Sequence, residues 1–333
     1  MWKKELSKES YEIRGYYVER KKNIKNITIM GGGVLESQIA FQTAYCGFHV
    51  TIWLRSKESI LRTKKKLDEV RKSYIDAIKK MSKDKTIENW CMGISNYESF
   101  DKEKCLEKVR NAYQDICLEL DMKKALTEAD LVIETMSEDF KAKKELYKKM
   151  ADFLPKKTIV TTNSSTFLPS KLAKYTKREN MFLALHFANS IWKNNTAEVM
   201  KHEKTEDRYF KQVMNFAKEI NMVALPLEKE KAGYLLNSML IPFLFSALDL
   251  YVNKISDPKS IDKAWILGTG AKEGPFQILD VIGLKTAYEI VSMYAKIPSI
   301  LAPYNFKDMK KLLKKYIEEG KLGKASKEGF YKY

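Results

Sequence analysis

The chain has 333 residues, with 60 Lys and Arg against 43 Asp and Glu and a formal net charge of +17. That length supports two domains with substantial cores. Acidic residues interleave with basic runs such as Lys64-Lys65-Lys66 and Lys314-Lys315, a distribution of solvated helix faces rather than the concentrated stripe of a nucleic-acid binder.

No long uninterrupted apolar run is present: Asn237, Ser238, Pro242 and Asp249 break the most apolar segment, Leu235 to Val252. Met1-Trp-Lys-Lys-Glu-Leu lacks the apolar core of a signal peptide, so a cytoplasmic protein with no membrane span is expected. Cys46, Cys91, Cys105 and Cys117 show no C-x-x-C spacing, and His49, His186 and His202 are not paired at ligand spacing, so no metal site is expected.

In chain order, residues 1–25 read as a basic N-terminal extension without an assignable role. From Asn26 to Arg55 the pattern is strand, glycine turn, helix, turn, strand. Gly31 and Gly33 permit close approach of a pyrophosphate to the backbone, and the N–H groups that open the helix at Val34 are oriented to receive its charge. The dinucleotide fingerprint asks for a third glycine where this chain has Glu36, whose carboxylate suits the helix dipole but repels phosphate. At the end of the second strand, where an acid would bind the ribose of NAD, the chain has Leu54-Arg55-Ser56. Arg55 and Ser56 could hold a 2′-phosphate, which favours NADP, or Arg55 is a surface charge.

Lys57 to Met81 predicts a long amphipathic helix or a pair of helices. Further strands are expected at Ile116–Leu120, Leu131–Thr135, Thr158–Thr162, Met181–Leu185, Ala197–Met200 and Val223–Pro226, with helices between most of them. This alternation predicts a doubly wound, mostly parallel α/β sheet of Rossmann type over residues 26–226, with Asn163-Ser-Ser-Thr166, His186 and its neighbours just past strand ends. From residue 227 to 333 only helices are expected, the first from Gly233 to Val252. Its apolar surface exceeds what a small bundle hides, so a homodimer through this C-terminal domain is expected.

Seven segments resemble the L-3-hydroxyacyl-CoA (3-hydroxybutyryl-CoA) dehydrogenases from about Asn23 onward: Ile27 to Ala40, Ala129-Asp-Leu-Val-Ile-Glu134, Asn163-Ser-Ser-Thr166, Leu185-His-Phe187 with Asn189, Ala232-Gly-Tyr-Leu-Leu-Asn237, Gly274-Pro-Phe-Gln-Ile-Leu-Asp280 and Glu328-Gly-Phe-Tyr-Lys-Tyr333. The resemblance implies hydride transfer between NAD or NADP and an acyl-CoA substrate. It implies His186 as general acid/base oriented by Glu198, Ser165 and Asn237 at the reacting oxygen, and Glu138, Lys143 and Asn189 at the cofactor beside Gly31, Gly33, Val34 and Arg55. The chemistry agrees, because removing a hydroxyl proton as hydride departs calls for a base that titrates near neutrality. Read from the helix alone, Lys143 is equally a solvated lysine. Ser190-Ile-Trp-Lys-Asn-Asn195 departs from the small apolar residues common in the family, which leaves the acyl pocket open. Two alternatives stand beside this reading: a dehydrogenase of a free hydroxy acid on the same scaffold, and a non-catalytic acyl-CoA-binding relative that lost cofactor binding through Glu36.

Overall fold

The computed structural model describes residues 24–86, 88–298 and 300–333; residues 1–23, nearly all of the expected basic extension, lie outside the described residues. The chain divides into two compact units, one ending at Tyr234 and one beginning at Leu235.

The first unit opens with β1 (Asn26–Met30), α1 (Val34–Tyr45) and β2 (His49–Trp53), and β1 and β2 pair in parallel. Next comes α2 (Lys57–Lys83), a single continuous helix whose Leu67, Val70, Tyr74, Ile78 and Met81 are buried at helical spacing while most of its lysines are exposed. There follow α3 (Lys102–Asp115), β3 (Cys117–Glu119), α4 (Met122–Leu126), β4 (Leu131–Glu134), α5 (Phe140–Ala151), β5 (Ile159–Thr162) and α6 (Pro169–Ala173). The unit closes with β6 (Phe182–Phe187), β7 (Thr196–Met200), α7 (Asp207–Glu219) and β8 (Val223–Leu227).

The strands form one eight-stranded sheet in the order β3-β2-β1-β4-β5-β6-β7-β8. All pairs out to β6 are parallel, whereas β7 runs antiparallel to β6 and β8 follows β7. The reversal has a simple cause. A parallel return needs a crossover of roughly a dozen residues or more, and the link from Ala188 to Asn195 is shorter.

Strand alternation sorts the side chains onto two faces. Ile27, Ile29, Ile133, Leu185, Phe187, Ala197 and Val199 join one buried cluster with Ile39 and Phe41 of α1. Met30, Val132, Val160 and Phe182 join another with Tyr147 and Met150 of α5. His186 and Glu198 alternate with members of the first cluster and so fall on the second face. His186 lies inside β6, not just past the strand end as the sequence suggested, and Glu198 lies inside β7 as expected.

At the end of β4, Glu134 is fully buried with both oxygens engaged. Oε1 accepts from Lys143 Nζ at 2.7 Å and from Met136 N at 2.7 Å, and Oε2 accepts from Tyr147 Oη at 2.6 Å and Thr162 Oγ1 at 2.8 Å. Lys143 Nζ also donates to Met136 O at 2.9 Å. Lys143 is thus a core residue, correcting its reading as a solvated lysine: with Tyr147 and Met150 it forms the buried stripe of α5.

The second unit contains α8 (Leu236–Val252), α9 (Pro258–Thr269), α10 (Pro275–Ile282), α11 (Leu284–Tyr294) and α12 (Phe306–Glu318), around a core that includes Phe245, Leu248, Phe276, Leu279 and Met309. The first of these starts three residues later than predicted because Gly233 and Tyr234 take left-handed backbone angles of +83° and +54° in φ, which no α-helix accommodates. Asp280, buried in α10, accepts from Phe330 N at 2.8 Å and Tyr331 N at 2.9 Å and so ties down the C-terminal segment. A side chain on Gly329 would meet its Oδ1 at 2.0 Å, which requires glycine in that motif. Among the described residues no helix is long and apolar enough to cross a membrane.

The Glu134 network yields a prediction. Lys143→Ala strands a buried carboxylate and should destabilise the protein by about 3–5 kcal/mol, measured by guanidinium unfolding; a loss below about 1 kcal/mol would contradict the network's role.

Candidate active site

The antiparallel pairing of β6 with β7 sets His186 directly opposite Glu198. Facing residues on one side of such a ladder have their Cβ atoms about 5 Å apart, which suits an imidazole–carboxylate contact. His186 Nδ1 stands 3.0 Å from Glu198 Oε2, and Nε2 stands 3.0 Å from Ser165 Oγ. An ionised carboxylate can only accept, so Nδ1 carries the hydrogen and the neutral ring presents the Nε2 lone pair to the serine hydroxyl. The Glu198 side chain is 8% exposed and that of His186 16%, which leaves the ring accessible from one side.

The loop after β5 is fixed from three directions. Asn163 Oδ1 accepts from Phe187 N at 3.0 Å, and Glu138 takes Ser164 Oγ–H at 2.8 Å and Ser165 N–H at 2.7 Å. Tyr234 stacks on the imidazole, with centroids 4.3 Å apart and planes 17° apart, and donates its hydroxyl to Ser164 O at 2.7 Å. Burial, with the nearby Glu198, Glu138 and Glu134 charges, pushes the Tyr234 hydroxyl well up, so it stays a donor. Tyr234 was missed from sequence, although it lies inside the matching block Ala232-Gly-Tyr-Leu-Leu-Asn237.

A Ser–His–Glu line also occurs in acyl-transfer enzymes, where it needs backbone N–H groups aimed at a developing oxyanion. Here the N–H groups of Ser165, Thr166 and Phe167 go to Glu138 and to Ser164 Oγ. The arrangement suits proton transfer at an oxygen held near Ser165 better than nucleophilic attack by Ser165.

A cavity of about 200 Å³ lies over the glycine turn and the end of β2, lined among others by Gly31, Glu36, Arg55, Arg62 and Lys66. The turn is built for close approach. Gly31 has φ +131°, and a side chain on Gly32 would meet Thr63 Oγ1 at 2.1 Å. Lys66 Nζ donates to Gly32 O at 2.9 Å. Three cations beside a side-chain-free turn fit the phosphates of a dinucleotide, and β1 and β4, where the strand order reverses, flank the position that ligands take in open α/β sheets. One feature opposes the fit. A side chain on Gly33 would meet Glu36 Oε2 at 2.2 Å, so the glutamate lies back across the turn.

The expected residues are thus distributed unevenly. Ser165, His186, Glu198 and Glu138 come together, while Gly31, Gly33 and Arg55 line the separate cavity over the turn, with Val34 exposed at the start of α1 beside it. Lys143 is not among the residues lining that cavity; its ammonium is held by Glu134. Asn189 is exposed, and its carbonyl accepts from Asn194 Nδ2 at 2.8 Å. Asn237 is half-buried near the start of α8 in the second unit. Arg62 and Lys66 were not singled out from sequence, where they merge with the other basic residues of α2.

A family model described as the 3-hydroxyacyl-CoA dehydrogenase NAD binding domain matches residues 26–231, and one described as the C-terminal domain of the same family matches residues 233–333. The human mitochondrial hydroxyacyl-coenzyme A dehydrogenase is 29% identical over 310 residues, covering 93% of this chain and 91% of that protein. The 3-hydroxybutyryl-CoA dehydrogenase of Clostridioides difficile is 27% identical over 314 residues, covering 92% and 99%. Among solved structures, a diketoreductase described as acting on dicarbonyl compounds is 42% identical, with a TM-score of 0.80 over 93% of this chain and 99% of its own. The (S)-3-hydroxybutyryl-CoA dehydrogenase of Ralstonia eutropha shares the fold at 22% identity, with a TM-score of 0.74 over 93% and 99%. With both domain models matched in order and together spanning nearly all of the chain after residue 25, this protein belongs to the 3-hydroxyacyl-CoA dehydrogenase family.

Proposed function

We propose that the protein interconverts a short 3-hydroxyacyl-CoA and the corresponding 3-oxoacyl-CoA with a nicotinamide dinucleotide. The observation that carries this reading is the Ser165–His186–Glu198 line, each contact at 3.0 Å. The bound cofactor supplies hydride acceptance and donation. In the oxidising direction Nε2 of His186 takes the hydroxyl proton as the C–H hydride leaves the same carbon, and Glu198 stabilises the imidazolium through Nδ1–H. In the reducing direction the same imidazolium returns the proton to the carbonyl oxygen. Ser165 holds that oxygen in register, and the family blocks carry Asn237 of the second unit as a substrate-binding residue. Tyr234 excludes water from one face of the ring.

The cofactor reading leans to NADP. Arg55 replaces the acid that would bind a free ribose hydroxyl, and Arg62 and Lys66 add positive charge to the same cavity. A homodimer through the second unit remains part of the reading, supported by Leu236, Met239 and Leu250 exposed on α8, and the cytoplasm remains the expected compartment.

A second substrate reading has a specific observation behind it. The likeness to a diketoreductase at 42% identity, together with the polar Ser190–Asn195 segment, favours a free dicarbonyl or hydroxy acid over a CoA ester. Parallel assays decide. Acetoacetyl-CoA should be reduced with consumption of NADPH or NADH, and turnover confined to free dicarbonyl compounds would select the second reading. His186→Gln and Glu198→Gln should each lower kcat by about 10²–10⁴-fold while leaving the circular dichroism spectrum and Tm near wild type; near-normal turnover of either variant would remove the proposed proton route. Arg55→Asp should shift the NADPH/NADH preference toward NADH by about tenfold or more, the loss of one charge-assisted contact. Unchanged preference would end the NADP assignment.

A further inference from the structure

The glycine turn of this chain contains its own anion. Glu36 takes the position where the dinucleotide fingerprint has glycine, and its side chain lies over all that makes the turn receptive. Its Oε2 is 2.2 Å from where a side chain on Gly33 would begin, and its Cγ is 3.5 Å from the corresponding point on Gly31. The carboxylate therefore covers the opening N–H groups of α1, the seat of a pyrophosphate in this fold. It shares the cavity with Arg55, Arg62 and Lys66, the cations that would meet the phosphates.

We propose that the Glu36 carboxylate stands in for the cofactor's diphosphate, and that the dinucleotide binds only when this carboxyl, shifted within the turn but still beside the diphosphate, takes up a proton, so that cofactor affinity falls as pH rises. The inference rests on the nicotinamide-dinucleotide reading of the cavity. Two negative groups in one partly buried turn repel each other, and loss of the carboxylate charge removes that repulsion.

The groups facing Glu36 from the packed elements are Lys66 of α2, Glu134 of β4 and Lys143 of α5. Burial holds the Glu36 carboxyl above its ordinary value; a hydrogen bond from its own backbone N–H opposes the rise, as do Lys66 and Lys143, while Glu134 adds to it. Both lysines are engaged elsewhere, Lys66 with Gly32 O and Lys143 with Glu134. An arriving diphosphate raises the carboxyl further. Affinity is then fully present below the carboxyl pKa of the free protein and is lost progressively above it.

The test is binding rather than turnover. NADH is the probe, because its diphosphate lacks the ionisation near pH ~6 that the 2′-phosphate of NADPH brings. Titrated by fluorescence into the full chain, its Kd should rise about tenfold or more between about pH 6 and pH 8, the linkage expected for one carboxyl. Glu36→Gln should flatten that dependence to less than about twofold and bind more tightly near pH ~8. Calorimetry of the wild type in buffers of different ionisation heat needs no variant and should show net proton uptake on binding. Parallel pH profiles for wild type and Glu36→Gln, or heats independent of the buffer, would overturn the proposal. Absence of NADH and NADPH binding at every pH, in Glu36→Gly as well, would instead overturn the cofactor reading beneath it.

Discussion

The organising constraint of the first unit is the reversal of strand direction between β6 and β7. Six strands run one way, and the seventh turns back because the link before it is too short for a crossover. That turn converts a sheet of the doubly wound type into one with a single antiparallel ladder, in which directly opposite side chains come close together. His186 and Glu198 are one such facing pair. A backbone feature thereby delivers what the proposed chemistry requires, an imidazole whose tautomer is set by a carboxylate that cannot move away. Coding the same pair on two loops would leave the geometry to side-chain entropy.

Around this pair the protein uses its carboxylates for three different purposes. Glu198 orients a ring, Glu138 holds the serine loop through a hydroxyl and an amide, and Glu134 binds β4, β5 and α5 together from below. Glu134 also accepts the amide of Met136 and so shapes the turn that leads to Glu138. The buried Lys143 is part of this chain of contacts, through Glu134 and the carbonyl of Met136.

Much of this was legible in the sequence. The run Ile27–Met30, the glycines and the helical spacing from Val34 onward state a βαβ unit, because strand and helix periods are local properties. Ser165 and His186 lie in the family blocks, and the resemblance implied Glu198 as the partner of His186. What could not be read locally is what depends on partners across the sheet. The direction of β7 follows from the length of residues 188–195, a signal present but not used. Lys143 looked solvated because lysines crowd α5, yet its spacing to Tyr147 and Met150 marks the buried face. Tyr234 sits after the last strand, where periodicity says nothing, and only the fold brings its ring over the imidazole. The predicted helix start at Gly233 failed for a backbone reason, two consecutive left-handed residues.

That same tyrosine bears on where the first unit may be cut. A fragment ending with the final strand at Leu227 would retain the complete sheet and every member of the proton line, and by secondary structure alone it would look whole. It would nevertheless lose the aromatic cover of the imidazole and the hydroxyl that anchors the serine loop through Ser164 O. Seven further residues, of no regular structure for the most part, decide whether such a fragment carries a dry, oriented base or merely a histidine open to solvent.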